Sequence, residues 1–162
     1  MQKNEPVSAK SAHAPTPSSL SIEHEELHAM LRRATSEPGS LGDAAKAVAR
    51  LMHPHFVKEE EFALPPLGLL PALLRGETIA DARAVLAMTD RLKSEMAEML
   101  TEHRQIVKAL TTMKEAAERA NKPAYADFAR KLMLHAQMEE EVMYPAAILV
   151  GEYLRSKHAE DS

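Results

Sequence analysis

Apolar residues recur at steps of three and four along four segments of the chain, which is the spacing of a buried seam in a helical bundle. No convincing run of alternating β-branched residues interrupts this pattern, and helix-forming residues dominate the composition. We therefore predict an all-α fold in which four helices share one core. The predicted seams are Leu20, His24, Leu27, Leu31; Leu41, Ala45, Val48, Met52, His55, Glu59, Phe62; Leu92, Met96, Met99, His103, Ile106, Leu110, Met113; and Phe128, Leu132, His135, Glu139, Val142.

Capping and turn residues set the expected boundaries in the first half of the chain. Residues 1–19 are rich in Ser, Pro, Ala and Lys, which is typical of a disordered tail. Ser19 or Ser21 is a suitable cap for a first helix that ends near Thr35. A second helix is predicted over 41–63, with a kink at Pro54. The apolar, Pro-rich stretch 64–71 is expected to cover the end of the bundle or, as the alternative, to form a docking surface.

The second half is predicted to contain one long and one shorter helix. The stretch 77–120 is long for a small bundle, so a bend or break is expected near Thr89 and Asp90. Pro123 suits the first turn of a fourth helix, and Pro145 is expected to kink or end it. A short terminal piece then runs to about Arg155. The predicted organisation is a tail over 1–19, one bundle domain over 20–156 and a C-terminal tail over 157–162.

Composition and charge exclude several classes of function. A chain of 162 residues suits one domain, and a net charge of −4 without a basic stripe argues against nucleic-acid binding. No apolar run approaches the roughly 18 residues of a membrane span. The N-terminus lacks the apolar core of a signal peptide, so a cytoplasmic location is expected. The absence of Cys excludes thiol chemistry and Cys-ligated zinc or iron–sulfur centres.

One motif occurs twice on the predicted seams. His55-x-x-x-Glu59 in the first half of the chain returns as His135-x-x-x-Glu139 in the second half. A Glu-His pair ending at His24 returns, at nearly the same offset, as a pair ending at His103. His and Glu four residues apart share one helix face. The duplication therefore brings four histidines and two glutamates toward one layer of the core.

A buried carboxylate needs a partner, because an unpaired charge in an apolar core is very costly. No Lys or Arg lies on the seams near Glu59 or Glu139, so histidines and a cation are the available partners. Histidine with carboxylate suits iron, zinc or manganese, whereas calcium prefers all-oxygen sites. The alternative is a bundle that binds no metal and pairs these polar residues with each other.

The complete pattern resembles the hemerythrin-like, or HHE cation-binding, domain over about residues 20–150. The resemblance implies an up-down-up-down four-helix bundle with a non-haem diiron centre. It implies terminal ligands His24, His55, His103 and His135, with Glu59 and Glu139 as bridges. The oxygen-carrying hemerythrins differ from this chain. They have a second histidine one turn further along the third helix, where this chain has Val107, and His-x-x-x-x-Asp on the fourth. The chain therefore looks more like the bacterial HHE proteins.

The protein side chains do not fill every coordination position of two irons. If both glutamates bridge two irons, each iron receives two carboxylate oxygens and two histidines. An exchangeable oxo or hydroxo bridge would then add a fifth ligand and leave a place for a small molecule. His28, one turn after His24, is a candidate additional ligand. Glu60 or Glu140 is a candidate acceptor for a ligating imidazole N–H, and His53 is expected at the surface.

Three functions fit this site. The first is a binder or sensor of oxygen, nitric oxide or peroxide. The second is an enzyme that decomposes peroxide or nitric oxide, with Tyr144 and His28 as its candidate proton donors. The third is a regulatory module whose folding depends on metal. The sequence is compatible with a monomer or a homodimer.

Overall fold

The computed structural model describes residues 14–160, which form six α-helices and, over that range, no strand. Most of the predicted tail, residues 1–13, lies outside the described residues. The prediction of an all-α helical bundle is confirmed. The helices are α1 Ser18–Thr35, α2 Gly39–Lys58, α3 Leu70–Leu74, α4 Ala82–Arg119, α5 Pro123–Met138 and α6 Tyr144–Glu160.

The long helix α4 organises the bundle, because it packs against α2, α5 and α6, while α1 packs mainly on α2. The predicted break near Thr89 and Asp90 is wrong, since α4 runs without interruption over 38 residues. This segment contains neither Pro nor Gly, the usual causes of a kink. The helix begins at Ala82, where the Asp81 side chain accepts a hydrogen bond from the backbone N–H of Ala84.

The ends of the other helices follow the predictions with two differences. Pro123 stands in the first turn of α5, as expected. The predicted Ser cap of α1 is wrong, because the helix begins at Ser18 behind Pro17 and has no side-chain cap. Pro145, expected to kink or end the fourth helix, does not end it, because α6 follows the π-helical turn at Glu139–Met143 directly and continues past Arg155 to Glu160.

Two apolar clusters lie on either side of a polar layer. Along α2, Met52 and Phe56 belong to the first cluster and Phe62, beyond Glu59, belongs to the second. Along α4, Ile106 belongs to the first cluster and Met99 to the second, with His103 between them. The histidines and glutamates of the repeated motifs are therefore enclosed by hydrophobic core at both ends.

The Pro-rich stretch after α2 covers the end of the bundle. Pro65–Leu69 forms a 3₁₀-helix in which Pro65, Pro66, Leu67 and Leu69 are buried. Gly68 is required there, because a Cβ atom at this position would lie 1.7 Å from the carbonyl oxygen of Pro15. The segment before α1 thus packs directly on this cover. Within residues 14–160, no helix has both the length and the apolarity needed to cross a bilayer.

Candidate metal centre

Two π-helical turns carry the glutamates of the repeated motifs. One turn covers Glu59–Ala63 at the end of α2, and the other covers Glu139–Met143 between α5 and α6. In each turn the backbone N–H of the following residue donates to the glutamate carbonyl five positions earlier, as Leu64 does to Glu59 at 2.9 Å. π-turns are rare and occur frequently at functional sites. Their presence at both motifs indicates that this layer of the bundle is a candidate functional site.

The first group of converging side chains, called here the His55 cluster, consists of His55, Glu59, His103 and Glu139. All four are buried, and their ligand atoms lie within 4.8 Å of one another. Nε2 of His55 is 2.8 Å from Nε2 of His103 and 3.2 Å from Oε1 of Glu59. Nε2 of His103 is 3.2 Å from Oε2 of Glu139. The two imidazole nitrogens are so close that a proton or a cation is needed between them, because their lone pairs repel.

The second group, called here the His24 cluster, consists of His24, His135 and Glu139 and is equally buried. Nε2 of His24 is 3.3 Å from Nε2 of His135 and 3.7 Å from Oε1 of Glu139. Nε2 of His135 is 2.7 Å from the same Oε1. Both clusters therefore present imidazole nitrogens and carboxylate oxygens to one small volume.

Each carboxylate turns one oxygen to each cluster. Glu139 directs Oε2 toward His103 and Oε1 toward His135 and His24. Glu59 directs Oε1 toward His55, while its Oε2 lies 3.8 Å from Nε2 of His24. This is the arrangement that a bridging carboxylate adopts between two neighbouring cations.

The hydrogen bonding of the buried oxygens fits a cation. Oε2 of Glu59 and Oε1 of Glu139 are buried and accept no hydrogen bond. Such atoms are rare, because a buried polar atom without a partner loses its hydration with nothing in return. Oε1 of Glu139 is unsatisfied although Nε2 of His135 is 2.7 Å away. Side chains that bind a common ion are directed at the ion rather than at each other. Their atoms can therefore lie this close without forming a hydrogen bond.

Comparison with protein families agrees with this geometry. Residues 18–147 match the family described as the hemerythrin HHE cation-binding domain. The chain belongs to this family. The match includes all six residues of the two clusters, so the layer of the bundle that holds them lies within the family's cation-binding domain. Comparison with curated proteins and with solved structures gives no match.

Carboxylates outside the clusters orient two of the imidazoles of this HHE domain. Nδ1 of His55 lies 2.7 Å from Oε2 of Glu102, and Nδ1 of His103 lies 2.8 Å from Oε1 of Glu140. These contacts hold a proton on Nδ1 and direct Nε2 into the cluster, as outer carboxylates do at many metal-binding histidines. Lys58 donates to the other oxygen of Glu102 at 2.7 Å. The Glu140 contact was among the sequence expectations, whereas the role of Glu102 was not.

The carboxylates of the clusters interact strongly. Burial and the nearby charge of Glu139 raise the pKa of Glu59. Burial also acts to raise the pKa of Glu139, but the imidazoles of His103 and His135 beside its two oxygens outweigh this effect and hold that pKa well below its usual range. The two buried carboxylates therefore favour one proton or added positive charge between them.

The pKa of His55, the histidine of the first motif, is also shifted in the direction that favours positive charge in the cluster. Burial alone would lower the pKa of His55, but hydrogen bonds to Glu59 and Glu102 and the charges of Glu59 and Glu139 raise it to about 9. Burial of Glu102 opposes its ionisation, yet its hydrogen bonds to His55 and Lys58 lower its pKa. Without a metal, protons therefore occupy this cluster, and a metal ion would displace them.

Glu102→Gln is expected to weaken metal binding by about 10–100-fold, the usual cost of removing an outer partner of a metal-binding histidine. The amide keeps the shape but no longer supplies a charge that orients His55. Glu98→Gln is the matched control, because Glu98 also accepts from Lys58 but contacts no histidine. Competition with a chromophoric chelator measures both affinities. Equal affinities in the two variants would contradict the role given to Glu102.

The remaining candidates lie in different places. His28 packs its ring against Phe56, with centroids 4.2 Å apart, and belongs to neither cluster. His53 is exposed, as expected. Tyr144 is fully buried and reaches the His55 cluster, with its hydroxyl 2.5 Å from Oε1 of Glu59. Burial and the charges of the carboxylates raise its pKa.

The π-turn explains how Tyr144, which the sequence suggested as a proton donor, reaches the His55 cluster. Five residues after Glu139, Tyr144 points away from it in an α-helix but lies one full turn along the same face in a π-turn. The same register change makes the predicted core position of Val142 wrong. Val142 is 60% exposed and Met143 is 7% exposed. The signal available in the sequence was the Glu-Glu-Glu run that opens both turns.

Proposed function

We propose that the protein is a non-haem diiron protein that binds a small ligand such as oxygen, nitric oxide or peroxide. The observation that supports this proposal is that the two oxygens of each carboxylate face different clusters. Glu59 and Glu139 each face both clusters with different oxygens. Two ions bridged by both glutamates would satisfy every unpaired carboxylate oxygen of the site.

The ligand set favours a transition metal. Four imidazole nitrogens with two carboxylates suit iron, zinc or manganese, and the all-oxygen sites preferred by magnesium and calcium are different. Iron is the choice that adds redox chemistry and reversible binding of diatomic molecules. His24 and His135 would serve one ion, and His55 and His103 the other.

A small internal cavity adjoins the site on its apolar side. Its volume is about 10 Å³, which is the space of roughly one water-sized molecule. All residues that line it are buried. They are Met52, His55, His103, Ile106, Leu132, His135, Ala136 and Glu139. The cavity thus has nitrogen and oxygen ligands on one side and hydrocarbon walls on the other.

Binding of small probes tests this proposal. Protein loaded with two irons should give a saturable change in its absorption spectrum with azide in the ferric state and with nitric oxide in the ferrous state. Ala136→Leu fills the cavity and should weaken this binding more than about tenfold while iron content stays at two, since an added isobutyl group leaves no space of water size.

Val107→Leu is the matched control, because Val107 is exposed on α4 and does not line the cavity. Unchanged probe binding in the Val107 variant and weakened binding in the Ala136 variant would support the cavity as the ligand site. Loaded wild-type protein that responds to neither probe would reject the small-ligand function and leave the metal centre standing.

A further inference from the structure

The hydroxyl of Tyr144 occupies a position among the ligand atoms of the His55 cluster. Besides its 2.5 Å contact with Oε1 of Glu59, it lies 3.2 Å from Nε2 of His103 and 3.4 Å from Nε2 of His55. The side chain is the largest of the fully buried ones among the described residues. A hydroxyl that only capped a core residue would need one partner, whereas this oxygen lies close to three.

These distances match the spacing of ligands around one metal ion. Metal bonds to nitrogen and oxygen of about 2.0–2.2 Å place neighbouring ligand atoms roughly 3 Å apart. The other atoms of the His55 cluster are spaced in this way, at 2.8 Å between the two imidazoles and 3.2 Å from imidazole to carboxylate. The contacts of the Tyr144 oxygen, at 2.5–3.4 Å, scatter about the same spacing.

We propose that Tyr144 is an additional protein ligand of the metal position held by His55 and His103, binding through its phenolate oxygen. This inference rests on the proposed diiron function. In the structure the hydroxyl donates its proton to Oε1 of Glu59. When the metal–oxygen bond forms, the O–H bond breaks and one proton leaves to solvent. The cation then offsets the negative charges of the glutamates that otherwise oppose phenolate formation.

The ligand makes the two metal positions unequal. The offset between the two copies of the motif places Leu64 at the position equivalent to Tyr144. Leu64 is fully buried and offers no ligand atom. The His55 position therefore receives five protein atoms, from two imidazoles, two carboxylates and the phenol, and the His24 position receives four. The His24 position therefore keeps more room for a small ligand, and His135, one of its two imidazoles, lines the cavity.

Phenolate bound to ferric iron has a visible charge-transfer band, and resonance Raman excitation in that band enhances tyrosine ring vibrations. Full-length protein loaded with two ferric irons should show both signals. Tyr144→Phe should remove them. The chain has three tyrosines, so Tyr125→Phe and Tyr153→Phe are matched controls that should keep both signals unchanged.

The Tyr125→Phe/Tyr153→Phe double variant leaves Tyr144 as the single tyrosine and must retain the signals, which keeps the test valid even if Tyr144→Phe fails to fold. Wild-type protein with two ferric irons and no tyrosine vibrations would overturn the proposal and leave Tyr144 as a hydrogen-bond donor to Glu59. Signals that persist in folded Tyr144→Phe would overturn it as well.

Failure of this inference is separable from failure of the diiron function. Iron content and the response to azide are measured on the same samples and do not depend on the phenolate band. Two irons with an azide response but no tyrosine signal would reject only the ligand role of Tyr144. Protein that takes up no iron would reject both.

Discussion

Glu139→Gln is expected to remove most bound metal from both positions at once. Glu139 belongs to both clusters, and its two oxygens face different histidines. Because loss of an outer partner alone costs about 10–100-fold in affinity, loss of a shared ligand should exceed about a hundredfold at each position. Metal per chain, measured after gel filtration in metal-free buffer, should fall from two to well below one.

The control for this variant stands two residues away. Glu141 is exposed and its carboxylate accepts a hydrogen bond from Gln137 on the surface of the helix. Glu141→Gln makes the same chemical change in the same π-turn and should leave metal content at two. Retention of two metals by folded Glu139→Gln would contradict the bridging role. Loss of only one would assign Glu139 to a single ion.

Metal removal is expected to lower the melting temperature by more than about 15 °C. Each bound ion adds roughly 4 kcal/mol to the free energy of unfolding when free metal is about a thousandfold above its dissociation constant. In a chain of this length, 1 kcal/mol shifts the melting temperature by about 2–4 °C. The metal-free site also keeps two buried carboxylate oxygens without a hydrogen-bond partner. These atoms do not stabilise the metal-free fold. Calorimetry with and without chelator measures the shift.

The same experiment on Glu139→Gln separates site binding from general effects of metal. The variant lacks the shared ligand, so added metal should change its melting temperature by only a few degrees. An equal shift in variant and wild type would place the stabilising metal outside the two clusters. No shift in wild-type protein that holds two metals would show that the ions do not bind the folded state in preference to the unfolded one.

Much of the candidate site could be predicted from the sequence, because the metal-binding pattern repeats. A single His-x-x-x-Glu on a helix is usually a surface pair. Two copies on core seams, one in each half of the chain, indicate a shared buried layer. The structure brings together His24, His55, Glu59, His103, His135 and Glu139, the six residues that the seams and the resemblance indicated.

The features that could not be predicted depend on helix geometry beyond the α-helical period. A regular α-helix places Val142 in the core and does not direct Tyr144 at Glu59, whereas the π-turn exposes Val142 and brings the Tyr144 hydroxyl to Glu59. The predicted break in α4 relied on length alone, and length does not break a helix that contains no Pro or Gly. The contact of Glu102 with His55 connects two helices and has no local signal in the sequence.

The measurement that tests the central claim most directly is a metal titration of the purified, metal-free protein. Ferrous iron is added without oxygen, and bound metal is followed to saturation beside His53→Ala, whose exposed imidazole lies outside both clusters. The account predicts that both proteins saturate at two irons per chain. Saturation of wild-type protein at one ion, or no binding at all, would contradict a centre in which Glu59 and Glu139 bridge two metals.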